Sequence, residues 1–443
     1  MSHNTHLERT LGLRSLVMFG LAYMTPIIVL GIFGIVASAS GGASASSYLI
    51  ALLAMTFTAW SYGRLAKAYP VAGSAYTYVR KTIDSRVGFL VGWSVLLDYL
   101  FLPMVIWLFG AVYLEAQFPG VPGWVWIVGF IAITTVLNIL GMKIADKTNF
   151  VLMAFQAIVL LIFVVLSIIS VTGGAGTGTI VSSSPFVGDH ATFSQVVSGA
   201  AIAAYCFLGF DAVTTFTEDT INPQHNIPRA IMWVAGLGGF IFVLVSYTTQ
   251  LVHPGGTFND SASAAFEIAG AIGGNVFSAI FVGGLVIGQF TSGLAAQASA
   301  SRLLYAMGRD GVLPKRVFGA IADKFKTPMV NLIIIGIVGL ASLMLDAATS
   351  TSFINFGAFT AFTMVNISLI SHYLRESKKG NKLNVFSNVI APIIGAVVCA
   401  YLLTQLDSNA LTLGLYWLGA GAVILAVITK GFTRRPPELV FED

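Results

Sequence analysis

The chain has 443 residues, of which 56% are hydrophobic and only 9% charged, whereas a soluble domain carries about 25% charged residues. That excludes a soluble globular protein and points to a polytopic membrane protein folded as one integral domain over 1–443. The net charge of +4 does not indicate nucleic acid, because the basic residues lie between hydrophobic spans and read as topology signals.

Twelve hydrophobic segments of spanning length are expected, at 15–39, 47–69, 87–114, 123–141, 149–172, 194–217, 229–252, 271–300, 328–346, 351–374, 385–405 and 410–430. With the N-terminal segment 1–14 placed in the cytoplasm, alternate loops put all 23 lysines and arginines on the inner side. One span more or fewer would put a whole set of them outside. The reading is therefore twelve spans, both termini cytoplasmic and a cytoplasmic tail at 431–443. The two cysteines, Cys206 and Cys399, fall in apolar runs and give no disulfide framework. The histidines show no ligand spacing, and no Walker loop, HExxH or nucleophile elbow occurs. Neither a metal nor a cofactor nor an enzymatic activity is expected.

The stretch 201–229 organises the rest. An apolar helix meets Gly209 beside the carboxylate of Asp211, passes a Thr-rich turn with Glu218 and Asp219, and leaves the membrane at Asn222-Pro223 and Pro228-Arg229. A helix in lipid must satisfy its backbone internally, so a glycine next to an ionisable group at that depth predicts an interruption facing a cavity. Segment one carries Pro26, Gly31 and Gly34 near its middle. Two interrupted segments five spans apart predict two five-span repeats (15–172 and 194–374) of inverted topology, with the binding site at the midplane.

Four motifs in order carry a family resemblance. Gly31-Ile32-Phe33 resembles the end of a GSGIF stretch, and Tyr69-Pro70-Val71-Ala72-Gly73-Ser74-Ala75-Tyr76-Thr77-Tyr78 a YPxAGGxYxY loop. Gly209-Phe210-Asp211 with Glu218-Asp219 and Asn222-Pro223 resembles a sixth-span signature, and Ser301-Arg302 through Leu313-Pro314 the segment after the eighth span. These are similar to the amino acid–polyamine–organocation superfamily along essentially the whole chain. Ser61-Tyr62-Gly63-Arg64, the run Val87 to Leu100 and Asn355-Phe356-Gly357-Ala358-Phe359 most resemble its bacterial putrescine-importer branch.

The resemblance implies an all-α, leucine-transporter-like fold, with substrate held between the opened middles of spans one and six, walls from spans three, eight and ten, and the last two spans, 385–430, peripheral. It implies substrate contacts from Ile28, Gly31, Ile32, Gly34, Asp98, Tyr205, Gly209, Phe210 and Asp211. It also implies coupling or gating roles for Asp211, Glu218, Thr291 and Ser292. Asp98 stands in the middle of span three with no basic residue of the membrane to pair with, which by itself marks a functional candidate. Glu218 and Asp219 are expected to pair with cations of an inner loop. For Thr291 and Ser292 two readings stand: small hydroxyl residues that simply allow close helix packing, or a cation site completed against the carbonyls of span one.

Two departures qualify the branch. Gly31 stands where the putrescine-importer pattern has an acid, which leaves room for a monoamine or a zwitterionic amino acid. Span five holds no lysine in the place of a coupling cation, and Gln156 stands there instead. The expected function is inner-membrane import of an amino acid or small biogenic amine of the putrescine class, coupled to a proton, with sodium left open. The alternatives are exchange of amino acid for amine, or a sensor or channel on the same scaffold. A channel filter such as TVGYG is absent.

Overall fold

The computed structural model describes residues 11–70, 74–140, 146–189, 191–217, 220–309, 313–322, 325, 327–434 and 436. The first span is broken into α1 (Leu13–Met24), α2 (Ile28–Gly31) and α3 (Phe33–Ala39). It is followed by α4 (Ser44–Ala68), the short α5 (Ser74–Thr82), α6 (Ser85–Gln117), α7 (Gly123–Ile139) and α8 (Asp146–Thr172). A single turn, α9 (Ser184–Val187), precedes α10 (Phe193–Ala203), which gives way to 3-10 turns at Ala204–Phe207 and Asp211–Phe216. The second half continues with α11 (Pro223–Val252), α12 (Ala264–Arg309, bent at Gly274), the short α13 (Lys315–Phe318) and α14 (Met329–Gly339). It closes with α15 (Ala347–Lys378), α16 (Ala391–Thr404, entered through a π turn at Phe386–Ile390) and α17 (Ser408–Ile428).

Among the described residues, ten helices are long and apolar enough to cross a membrane, and two shorter apolar ones cover Gly123–Ile139 and Met329–Leu343. The outermost carry bare apolar faces, such as Leu161 and Ile169 on α8 and Val423 and Val427 on α17, as a lipid-facing helix must. This is a multi-pass membrane protein.

The bundle has a polarity. One end joins α4 to α5, α5 to α6 and the last turns of α15, where Arg375 donates to the carbonyls of Lys81 (2.7 Å) and Ile83 (3.3 Å) and Tyr69 meets His372 at 2.9 Å. Arg64, Lys67, Lys81, Arg229, Arg375 and Lys379 gather at this end. At the other end Ser38 bonds the Gly256 carbonyl at 2.8 Å and Ser46 that of Phe186 at 2.8 Å. No lysine or arginine lies between 115 and 142 or between 148 and 228.

Inside, small and polar residues let helices close. Asn366 of α15 accepts from Ser61 at 2.6 Å and donates to Thr58 at 3.1 Å, both on α4. Such buried amides act as glue where lipid offers no hydrophobic drive between helices. The most extensive packing runs between α4 and α11 and between α6 and α12.

Candidate functional site

Two helix breaks face each other at the centre. In the first span Pro26 has no N–H to give, and it disfavours helical backbone at the residue before it. Thr25 accordingly takes a left-handed conformation, φ 48° and ψ 77°, and α1 ends at Met24. The Thr25 hydroxyl folds back to donate to the Ala22 carbonyl at 3.1 Å. The main opening therefore lies at 25–27, a second, smaller break follows at Ile32 just after Gly31, and Gly34, where segment one was also expected to loosen, stays helical. Gly34 sits inside α3 because a Cβ there would fall 2.4 Å from Ala264 Cβ. It is a packing glycine. Gly31 ends α2, and Ile32, off helical geometry at φ −114° and ψ 8°, joins α2 to α3 with both residues fully packed.

In the sixth span, α10 is started by a capping box between Thr192 and Gln195 and loses its regular ladder after Ala203. Gly209 has φ +109°, a conformation that costs residues with a Cβ. A Cβ on Gly209 would lie 2.1 Å from Tyr23 Cδ1. The sixth-span break can thus seat against the last turn of α1 only because residue 209 has no side chain.

Neighbouring helices satisfy the backbone groups that these breaks free. Tyr113 of α6 donates to the carbonyls of Leu30 (2.9 Å) and Gly31 (3.2 Å). Asn355 of α15 donates to those of Ala201 (2.8 Å) and Ile202 (3.4 Å). Leu11 and Thr220 form an isolated parallel bridge that ties the start of the first span to the end of the sixth at the cation-rich end. Neither Tyr113 nor Asn355 was singled out as a site residue. Asn355 lies in a stretch that the sequence flagged only as a branch marker.

Between the breaks lies a small cavity lined by Tyr23, Thr25 and Ile28 of the first span, Leu102 and Ile106 of α6, Tyr205 and Leu208 of the sixth, and Gln289 and Ser292 of α12. About 20 Å³ of it is open to a water-sized sphere, room for roughly one water molecule. Admitting a larger solute requires side chains or half-helices to move. The amide nitrogen of Gln289 is buried and has no hydrogen-bond partner in the structure.

Of the residues expected from sequence, Ile28, Tyr205 and Ser292 line this cavity. Asp98 lies one turn before Leu102 on the face of α6 that continues through Ile106. Its Oδ1 accepts no hydrogen bond, and Pro103 leaves the Tyr99 carbonyl beside it without a helical donor. Asp211 begins the 3-10 turn just past the cavity and is buried. Asp98 and Asp211 are within electrostatic reach of one another and of Tyr23 and Tyr99, and no described lysine or arginine stands within reach of Asp98.

Phe210 turns away from the cavity into an aromatic cluster with Tyr62 (ring centroids 5.8 Å apart) and Phe362 (5.3 Å). Tyr62 also meets Tyr78 at 6.0 Å. The sixth span runs toward the cation-rich end, so this cluster closes the cavity on that side. Thr291 is absorbed by its own helix, donating to the carbonyls of Ile287 and Gly288 at 3.0 Å each. Glu218 lies outside the described residues, as does Asp219. Gln156 of α8 is buried where α8 meets α12 and the first break: a Cβ on Gly288 would fall 2.9 Å from its Oε1 and 3.1 Å from Thr25 Cγ2. Among the described residues no group of three His, Cys, Asp or Glu gathers that could hold a metal.

A family model described as amino acid permease matches residues 15–426. The chain belongs to the amino acid permease family. This permease is 39% identical to the low-affinity putrescine importer PlaP of Escherichia coli (strain K12), over the full length of both chains. It is 26% identical to the methylthioribose transporter of Bacillus subtilis (strain 168), over 97% of this chain and 95% of that one. A solved structure of a Na+-coupled sialic acid symporter in a substrate-bound outward-open state shares the fold. It has a TM-score of 0.55 and covers 90% of this chain and 91% of that one, at 13% identity.

Proposed function

We propose that this permease imports a small diamine of the putrescine class across the inner membrane by alternating access, coupled to a proton. The observation that carries the reading is the pair Asp98 and Asp211 on one flank of the central cavity, with Asp98 unpaired. A carboxylate enclosed in a bundle with an unpartnered oxygen, as Asp98 is, needs a counter-charge, and a diamine brings an ammonium to it. Asp98, with an unused oxygen and the open Tyr99 carbonyl at its side, takes one ammonium. Asp211, at the sixth-span break, takes the other or carries the coupling proton between access states. Asp98 thereby compensates for Gly31 in place of a first-span acid. The 39% identity to a putrescine importer over the whole chain supports the same substrate class.

The scaffold in this proposal has twelve spans, counting the two shorter apolar helices, with both termini cytoplasmic as the cation distribution requires. Two inverted five-span repeats are supported by the positions of the breaks in spans one and six. They are supported too by the packing of α4 with α11 and α6 with α12, pairs that stand five spans apart. Ile28, Tyr205 and Ser292 would contact substrate directly. The aromatic cluster around Phe210 would have to part for release inward, and Glu218 would act in gating at that exit. Gly31, Ile32, Gly34, Gly209 and Thr291 serve by shaping the breaks and packing the spans.

The test is thermal stabilisation of the purified protein by putrescine, cadaverine, agmatine and the standard amino acids side by side. A ligand that binds the folded state raises its melting temperature by mass action. Stabilisation by diamines that disappears in Asp98→Asn is the expected result. Stabilisation by one amino acid alone, or a diamine effect untouched by Asp98→Asn, would overturn the diamine assignment.

A further inference from the structure

At the cation-rich end, away from the central cavity, α4 and α11 part to leave a groove of about 610 Å³. Its lining includes Arg64 and Lys67 of α4, Arg229 of α11, and the indole rings of Trp60 and Trp233. None of its lining residues is acidic. Among the described residues neither Lys67 nor Arg229 has a carboxylate partner. Arg64 is tied by one contact only, donating to Asn388 Oδ1 at 3.2 Å. Three cations converging without an anion repel one another, and in an apolar setting that asks for a negative ligand.

The groove is also open along the bundle. Gly63 lets α4 touch Pro228 at its floor, where a Cβ would lie 3.3 Å from Pro228 Cβ, while Gly236 faces open space. From its mouth, Trp233, Leu237, Phe240 and Leu244 continue along one face of α11, spaced by three and four residues and exposed by 55%, 38%, 63% and 42%. Trp60 is held with its ring outward by donating Nε1 to the Ser387 carbonyl at 2.9 Å. Basic side chains and indole rings at a helix end, above an apolar track, match the profile of one amphiphile: a phosphate head in the headgroup layer and a chain in the hydrocarbon.

We propose that this groove binds an anionic phospholipid, its phosphodiester held among Arg64, Lys67 and Arg229 and one acyl chain laid along Trp233 to Leu244. Arginine forks suit phosphate oxygens. A lipid so placed bridges α4 and α11, and through Arg64 it reaches the π turn that carries Asn388.

Native mass spectrometry of the full chain in neutral detergent tests this, with phosphatidylglycerol and phosphatidylcholine of identical acyl chains as probes. The wild type should retain one phosphatidylglycerol at least tenfold more tightly than phosphatidylcholine. Lys67→Gln with Arg229→Gln should weaken phosphatidylglycerol about thirtyfold, from roughly a decade or less per lost surface cation, and leave phosphatidylcholine unchanged. Its melting temperature in lipid-free detergent should match the wild type. Equal retention of the two lipids, or undiminished phosphatidylglycerol in the double variant, overturns the site. Inorganic phosphate protecting the wild type from heat as well as phosphatidylglycerol does would show a simple anion site and overturn the lipid assignment. If the double variant misfolds, the wild-type preference and its loss at high salt decide the matter alone.

Discussion

Replacing Gly209 by alanine tests whether the two breaks are one mechanical unit. The new methyl group would sit 2.1 Å from Tyr23 Cδ1, 2.9 Å from Cε1 and 3.0 Å from Cγ, so the whole ring edge must retreat by more than an ångström. The backbone at φ +109° adds a cost of about 1–3 kcal/mol for a residue with a Cβ. Overpacking adds about 1–3 kcal/mol more. Together these amount to roughly 2–6 kcal/mol, imposed on the ring that lines the cavity. Gly209→Ala should therefore melt several degrees lower and transport at a small fraction of the wild-type rate. Gly270→Ala is the control: that glycine is helical, nothing lies within 4 Å of its Cβ position, and alanine should stabilise the helix by up to about 1 kcal/mol. Uptake of labelled substrate in reconstituted vesicles, with melting curves of the same preparations, reads both effects. A Gly209→Ala protein that melts and transports like the wild type would refute the coupling of the two breaks through Tyr23.

Tyr113→Phe removes the donor to the Leu30 and Gly31 carbonyls and leaves buried acceptors unmet, which should cost about 1–3 kcal/mol. Its melting temperature should fall, and an unchanged curve would remove Tyr113 from the support of the first break. Asp211→Asn should flatten the rise of uptake with external acidity while leaving the protein folded; a wild-type pH profile would take the coupling proton away from that residue. Asp346 caps the N-terminus of α15. Burial pushes its carboxyl up, but hydrogen bonds from the Thr349 backbone and hydroxyl and from the Ala348 backbone outweigh that and hold it below the ordinary aspartate value. A depressed folded value means that its stabilisation is present above the ordinary range and is lost as pH falls through the lowered one. Asp346→Ala should cost about 1 kcal/mol at neutral pH, as lost caps do, and the gap to wild type should close in acid. A gap that persists there would contradict the assignment.

The chain by itself determined the class, the order of the apolar segments, the gathering of cations at one end and the break at Gly209. Each of these rests on information local in sequence: hydropathy over a span, charge between spans, a glycine beside an acid. Asp98 was legible for the same reason, since an acid in an apolar helix with no basic neighbour stands out without any knowledge of its surroundings. The tertiary structure decided what depends on which faces meet. Pro26, Gly31 and Gly34 looked alike as helix weakeners, yet the first span breaks at Thr25-Pro26 and again at Ile32 just after Gly31, while Gly34 stays helical because it is needed where α3 touches Ala264. Tyr113 and Asn355 carry no local signal, because their role is to donate to carbonyls on helices more than eighty residues away. The cavity is likewise assembled from four spans, and side chains as ordinary as Leu102, Ile106 and Gln289 become its walls. Helix packing, which no single segment encodes, is what turns them toward one another.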